Sequence, residues 1–264
     1  MIPAVPVSRI LESLRKRVSE GEPSSFVVAS DGDGTLWSSD IGEALFDLVL
    51  AEGFVDEPAR GALFDEAVRA GVPAAERANA TTLARALFDA YVAGRYAEDS
   101  MCAVMSWCMA GMEVDALAAI AAEMLEGSFG LRARLVPEAL EIVRFAHSVG
   151  VPVHVVSASP RAIVEQAARV VAEVAGVPVP NVIAMTPAVE EGIIRPRTVG
   201  TWPYGEGKVV ALTESIGRRT LLCALGDNVF DVPMLAAADV PVAIRPKRAL
   251  VEAAHRVPGL VVAS

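Results

Sequence analysis

Two carboxylates separated by one glycine, Asp31-Gly32-Asp33, open the string DGDGTL directly after the apolar run Phe26–Ser30. Extended backbone has a period of two, so Asp31 and Asp33 point the same way from the end of that run. Like charges that close repel unless a cation neutralises them or one keeps a proton, so the pair implies a metal, acid–base work, or both. An Asp/Gly turn would produce the same string. A second pair, Asp227 and Asp231 in GDNVFD, follows the apolar run Leu221–Leu225. Parallel strands end on one edge of their sheet, so Asp227 can approach Asp31 from far along the chain. A hard divalent cation with oxygen ligands, magnesium above all, is then the natural partner. Asp231 could equally be an acid favoured by the dipole of a first helical turn.

Two further pieces bear on an anion. Val155-Val156-Ser157-Ala158-Ser159-Pro160 reads as a strand end leading into a helix, where free amides and the Ser157 hydroxyl can hold negative charge. Ser159 reads as the cap of the helix that Pro160 begins. In Gly205-Glu206-Gly207-Lys208 a cation stands at a helix start, which the dipole disfavours. A role at an anion site explains it, as does a solvated surface lysine.

The elements that must position these residues follow from periodicity. Phe26–Ser30 reads as a buried strand, and residues 1–25 as containing a short amphipathic helix. From about Ile41 to Glu126, Ala, Leu, Met, Glu and Arg at helical spacing predict four or five helices. After Gly127, helices and short apolar strands alternate. The predicted strands are Val153–Val156, Val182–Met185, Thr220–Leu225, Pro241–Ile244 and Leu260–Val262. The predicted helices are Pro137–Ser148, Pro160–Ala175, Lys208–Ser215, Val232–Ala237 and Pro246–Ala254, with a possible hairpin over Glu190–Thr198. Such alternation predicts an α/β fold whose parallel sheet is covered on both faces.

Composition narrows the partners. The chain has 264 residues, 53% of them apolar, enough for a core and a smaller module. Its 23 basic and 33 acidic residues give a net charge of −10, without a basic run that could track nucleic acid. Any anionic substrate must therefore be held by local cations and amides. Mean hydropathy is +0.43, but the apolar stretches are short and broken by charge, so no membrane span is expected. Cys102, Cys108 and Cys223 form neither a disulfide framework nor a zinc pattern, and no leader segment is read, so a cytoplasmic protein is expected. His147, His154 and His255 are scattered, with no ligand pattern.

In order, D-x-D-x-T at 31–35, Ser157, Lys208 and G-D-x-x-x-D at 226–231 resemble the haloacid dehalogenase superfamily, over almost the whole chain. The helical stretch between the first and second motifs looks like a type 1 cap of the phosphoserine phosphatase branch. The resemblance implies a Rossmann-like core at 1–40 and 128–264 and a helical cap at 41–127. It implies a phosphatase in which Asp31 attacks phosphorus while Asp33 protonates the leaving alcohol and later activates water. Magnesium would be held by the side chains of Asp31 and Asp227 and the backbone carbonyl of Asp33. Ser157 and Lys208, with amides near Gly32 and Ala158, would hold phosphate oxygens, backed by Asp231 and Thr35. Asp33 favours phosphoryl transfer over carbon–halogen hydrolysis. A phosphotransferase and a non-catalytic phospholigand binder are the alternatives.

The expected partner is a small phosphomonoester. Asp40 stands where phosphoserine phosphatases carry a Glu for the substrate amine, and it could instead cap the helix that Ile41 starts. A substrate carboxylate would need a cap arginine, and Arg60, Arg69, Arg77 and Arg85 are candidates. Phe230 departs from the Asn that those enzymes carry. Trp37 either adds bulk at the pocket mouth or packs beneath the cap. Hinges are expected at Ser38–Gly42 and Gly127–Leu131. Met101, Met105, Trp107, Met109 and Met112 read as cap core, although they could line the pocket.

Overall fold

A computed structural model describes residues 2–264. Strand β2 (Phe26–Ser30) is buried along nearly its whole length, and it lies inside an eight-stranded sheet. The other strands are β1 (Ala4–Val5), β3 (Val153–Pro160), β4 (Asn181–Glu190), β5 (Ile193–Val199), β6 (Thr220–Gly226), β7 (Val240–Ala243) and β8 (Val261–Ala263). Their order is β1-β8-β7-β6-β2-β3-β4-β5, parallel throughout except that β5 runs antiparallel to β4.

Because β2 alternates faces, Val28 joins one apolar cluster while Val27 and Ala29 join another. The first cluster takes in α1 (Val7–Val18), α7 (Pro137–Ser148) and α8 (Arg161–Ala175). The second takes in α9 (Glu206–Ile216), α10 (Val232–Ala236) and α11 (Arg248–Ala253). Both faces of a β-branched parallel sheet are thus covered, as its continuous apolar strands require.

Between β2 and α7 lie α2 (Ile41–Ala51), α3 (Glu57–Arg69), α4 (Ala80–Val92), α5 (Glu98–Trp107) and α6 (Val114–Glu126). Asp40, Asp56 and Asn79 start α2, α3 and α4 by accepting the amides of Glu43, Glu57 and Thr82. Their apolar faces merge with the first cluster, and α5 packs on β3, β4 and β5. Met101, Met105, Trp107 and Met109 are buried there, and Met112 packs against the same cluster.

The chain enters and leaves this helical segment side by side. Trp37 bridges to Leu135, Ser38 N donates to Arg134 O at 2.8 Å, and Arg134 Nη1 donates to Ser39 Oγ at 2.8 Å. The stretches expected as hinges contain Ser39 at φ 100° and Gly130 at φ 63°.

The elements depart from the sequence expectations in a few places. β1 was not expected, because two residues carry no periodic signal; it pairs with β8. β3 runs past Val156 to Pro160, so α8 starts only at Arg161. The expected Glu190–Thr198 hairpin belongs to a longer ribbon that pairs Thr186 with Val199 and turns at Glu191 and Gly192, at φ 52° and 79°. No described helix is long and apolar enough to cross a membrane.

Candidate active site

The C-terminal ends of β2, β3, β6 and β7 share one edge of the sheet, and the chemistry-bearing residues gather there. Asp31 leaves β2 with its amide tied to Leu225 O of β6 at 2.9 Å. Its Oδ1 accepts from Lys208 Nζ at 2.6 Å and its Oδ2 from Thr35 Oγ1 at 3.1 Å. Lys208, 4% exposed in the first turn of α9, also donates to Asp231 Oδ1 at 2.6 Å. The other Asp231 oxygen accepts the amides of Asp227 and Asn228 at 3.0 and 2.9 Å. The cation that the dipole disfavours at a helix start is therefore held by two carboxylates.

Asp33 lies in a different set of bonds. Its Oδ1 accepts from Trp37 Nε1 and Ile41 N, both at 2.8 Å, and its Oδ2 from Ser159 Oγ at 2.7 Å and Ser157 Oγ at 3.3 Å. Two expectations are corrected here. Trp37 is fully buried and holds Asp33 rather than meeting a substrate, because its ring fills the space over Gly32 and its only polar atom reaches back. Ser159 does not cap α8, whose cap position is Pro160; its hydroxyl is used on Asp33.

Gly32 and Gly34 are fixed by close approach. A Cβ on Gly32 would sit 2.6 Å from the Trp37 ring, and one on Gly34, at φ 89°, would sit 2.2 Å from an Asp227 oxygen. Gly32 does not line the cleft, and its carbonyl accepts the amides of Thr35, Leu36 and Trp37. Ala158 does line it.

Asp31, Asp227 and Asp231 are buried, with oxygens within 4.8 Å of one another. The Asp33 carboxylate is outside that group, and the Asp231 oxygens are already engaged by Lys208 and two amides. Burial, and then the charge of Asp231, raise Asp31 well above the usual carboxylate range against the opposing pull of Lys208. Burial likewise raises Asp227, opposed by Lys247. On Lys208 burial acts against the ammonium, but Asp231 and Asp31 outweigh it and the pKa rises. Three buried carboxylates beside two lysines leave a surplus of negative charge, the condition under which oxygen ligands take a hard cation.

Sequence reasoning missed Lys247, Glu98, Cys102, Tyr204 and Asn228, all of which line the cleft. Lys247 follows β7 on the same edge, so seeking a cation after every strand would have found it; its Nζ lies 3.0 Å from Asp227 Oδ2. Asp40 both caps α2 and lines the cleft. Protein crowding and then repulsion from Asp33 raise its carboxyl, opposed by the hydrogen bond it accepts from the Glu43 amide.

None of the four candidate arginines lines the cleft. Arg60 Nε donates to Ala78 O at 2.9 Å, Arg69 pairs with Glu66, Arg85 lies 3.4 Å from Asp47, and Arg77 is exposed in the turn before α4. They brace the helical segment or face solvent.

A family model described as haloacid dehalogenase-like hydrolase matches residues 28–236. No curated protein matches the chain. Among solved structures, a Bordetella pertussis Tohama I protein of unknown function is similar at 24% identity and a TM-score of 0.67, over 90% of this chain and 98% of that one. A functionally unknown Anaerococcus prevotii protein is similar at 14% identity and 0.66, over 95% and 89%. A probable phosphoserine phosphatase from Vibrio cholerae is similar at 16% identity and 0.53, over 90% and 61%. These likenesses are of fold.

Proposed function

The chain belongs to the haloacid dehalogenase-like hydrolases, and from that membership we propose that it is a phosphomonoesterase that works through an aspartyl phosphate on Asp31. The observation that carries this reading is the contact of Lys208 with both Asp31 and Asp231 at 2.6 Å. A buried carboxylate is thereby aimed into a cleft by a fixed ammonium, with a hydroxyl from Thr35 on its other oxygen.

Asp31 attacks phosphorus as the bond from phosphorus to the leaving alcohol breaks, and Asp33 delivers the proton that the alcohol needs. Water then attacks the acyl phosphate, Asp33 takes its proton back, and phosphate and free Asp31 result. The partners of Asp33 distinguish its two oxygens. Trp37 Nε1 and Ile41 N are donors only, so they keep Oδ1 an acceptor. Ser157 and Ser159 carry hydroxyls that can turn from donor to acceptor, so Oδ2 is the oxygen through which the proton is passed. Lys208 and Ser157, with Ala158 beside them, hold the phosphate oxygens, and Asp231 orients Lys208.

Asp31 and Asp227, with the Asp33 carbonyl, would hold magnesium, and the surplus of buried carboxylate fits it. When bound, the ion offsets the charge of carboxylate and phosphate so that one anion can approach another. The test is phosphate release from a panel of small phosphomonoesters, with magnesium and with chelator. Magnesium-dependent release from at least one is expected. Failure of a folded, magnesium-loaded protein to release phosphate from any of them contradicts the reading.

A further inference from the structure

The cleft also holds side chains that the reaction above does not use. Among the described residues the basic side chains lining the cleft are Lys208, which meets Asp31 and Asp231, and Lys247, which meets Asp227. The helical segment contributes Asp40 from the start of α2, within electrostatic reach of Asp33, and Glu98 from the first turn of α5, within reach of Lys247. The Tyr204 hydroxyl stands beside Glu98. The Tyr204 ring packs on Phe230 with centroids 4.4 Å apart, and both residues line the same space. Cys102 completes this group without charge, since burial, and then the Asp40 carboxylate, keep its thiol protonated. The cleft is narrow, about 90 Å³, and open to solvent on one side.

Resting on the phosphomonoesterase reading above, we propose that the substrate is a small phosphomonoester whose alcohol carries an ammonium group and no carboxylate. Bound with its phosphate against Lys208, a short amino alcohol directs its cation at Asp40 and Glu98, along the faces of Tyr204 and Phe230. A carboxylate on the same carbon skeleton would face two acidic side chains while Lys208 and Lys247 are committed to the phosphate end, and like charges brought together there repel. Phe230 therefore belongs to this group, which gives a use to the position where the sequence departs from the phosphoserine phosphatases. The opposite specificity, for an amino acid phosphate, would need an arginine that the helical segment places elsewhere.

The test compares phosphoethanolamine, glycerol 3-phosphate and phosphoserine as substrates of the magnesium-loaded protein, with p-nitrophenyl phosphate as a substrate that reports phosphatase chemistry alone. We expect kcat/KM for phosphoethanolamine to exceed that for each of the other two metabolites by about tenfold or more, the factor that one partly desolvated cation contact gives. Glu98→Gln should shrink that ratio. Hydrolysis of p-nitrophenyl phosphate with glycerol 3-phosphate or phosphoserine equal to or better than phosphoethanolamine overturns the substrate class and leaves the phosphatase intact. If nothing is hydrolysed, the phosphatase reading fails, and calorimetric binding to Asp31→Asn still decides recognition. About tenfold tighter binding of phosphoethanolamine than of glycerol 3-phosphate supports the ammonium subsite, and equal binding overturns it.

Discussion

Lys247 Nζ lies 3.0 Å from Asp227 Oδ2, and the Lys247 backbone amide donates to the Asp227 carbonyl at 2.7 Å. The pair joins the ends of β6 and β7 and places a second cation, with a side chain 56% exposed, at the mouth of the reacting end.

Lys247→Met is expected to weaken phosphomonoester turnover by about 10- to 100-fold in kcat/KM, the range for one lost charged hydrogen bond to an anion, with most of the loss in KM. Steady-state kinetics check this. An unchanged KM would remove Lys247 from the phosphate end and leave it a brace for Asp227.

Lys208 is different, because its side chain is only 5% exposed and serves two buried acids. Lys208→Met leaves Asp31 and Asp231 buried without their cation, and should destabilise the fold by about 3–5 kcal/mol. Adding Asp231→Asn should recover part of that loss, since the two sites share one interaction. Urea unfolding of the single and double variants reads both effects. Equal stability of Lys208→Met and the parent would contradict the pairing.

His154 on β3 is 2% exposed, and its Nδ1 is without a hydrogen-bond partner among the described residues. Burial, and then the charge of Arg219, lower its pKa from 6.5 to about 4. Below pH 6.5 the unfolded chain takes up a proton that the folded chain refuses, so stability falls as pH drops through that window toward 4. The full loss is about 3 kcal/mol at 1.36 kcal/mol per pKa unit. Denaturation curves of the parent and of His154→Gln across that range should diverge, with the variant flatter. Parallel curves would show that His154 does not set the acid limit.

The strand-end motifs were legible because parallel topology forces their convergence. An apolar run ending in Asp-Gly needs no knowledge of the intervening chain to be placed on the sheet's edge, and Asp31, Ser157, Lys208 and Asp227 do meet there. Asp231 by itself read equally as a first-turn acid, and only the resemblance set it behind the phosphate-holding residues; the structure brings it to 2.6 Å from Lys208. Glu98 and Tyr204 were not legible. One starts α5 and the other lies in the loop before α9, so only the packing of α5 over β3 and β4 brings them to one cleft. Trp37 was half-read, since a large ring after the first motif gives no direction, and only the space over Gly32 decides it. The arginines failed as candidates because helical spacing alone does not show which faces of α3 and α4 turn toward the sheet edge.

The most direct measurement is rapid-quench mass spectrometry of the magnesium-loaded protein during turnover of p-nitrophenyl phosphate, followed by digestion and peptide mapping. The account predicts an acid-stable phosphoryl adduct on the peptide containing Asp31, lost on treatment with hydroxylamine and absent in Asp31→Asn, which should also lose turnover. Turnover without any adduct, together with substantial activity in Asp31→Asn, would contradict a covalent route through Asp31.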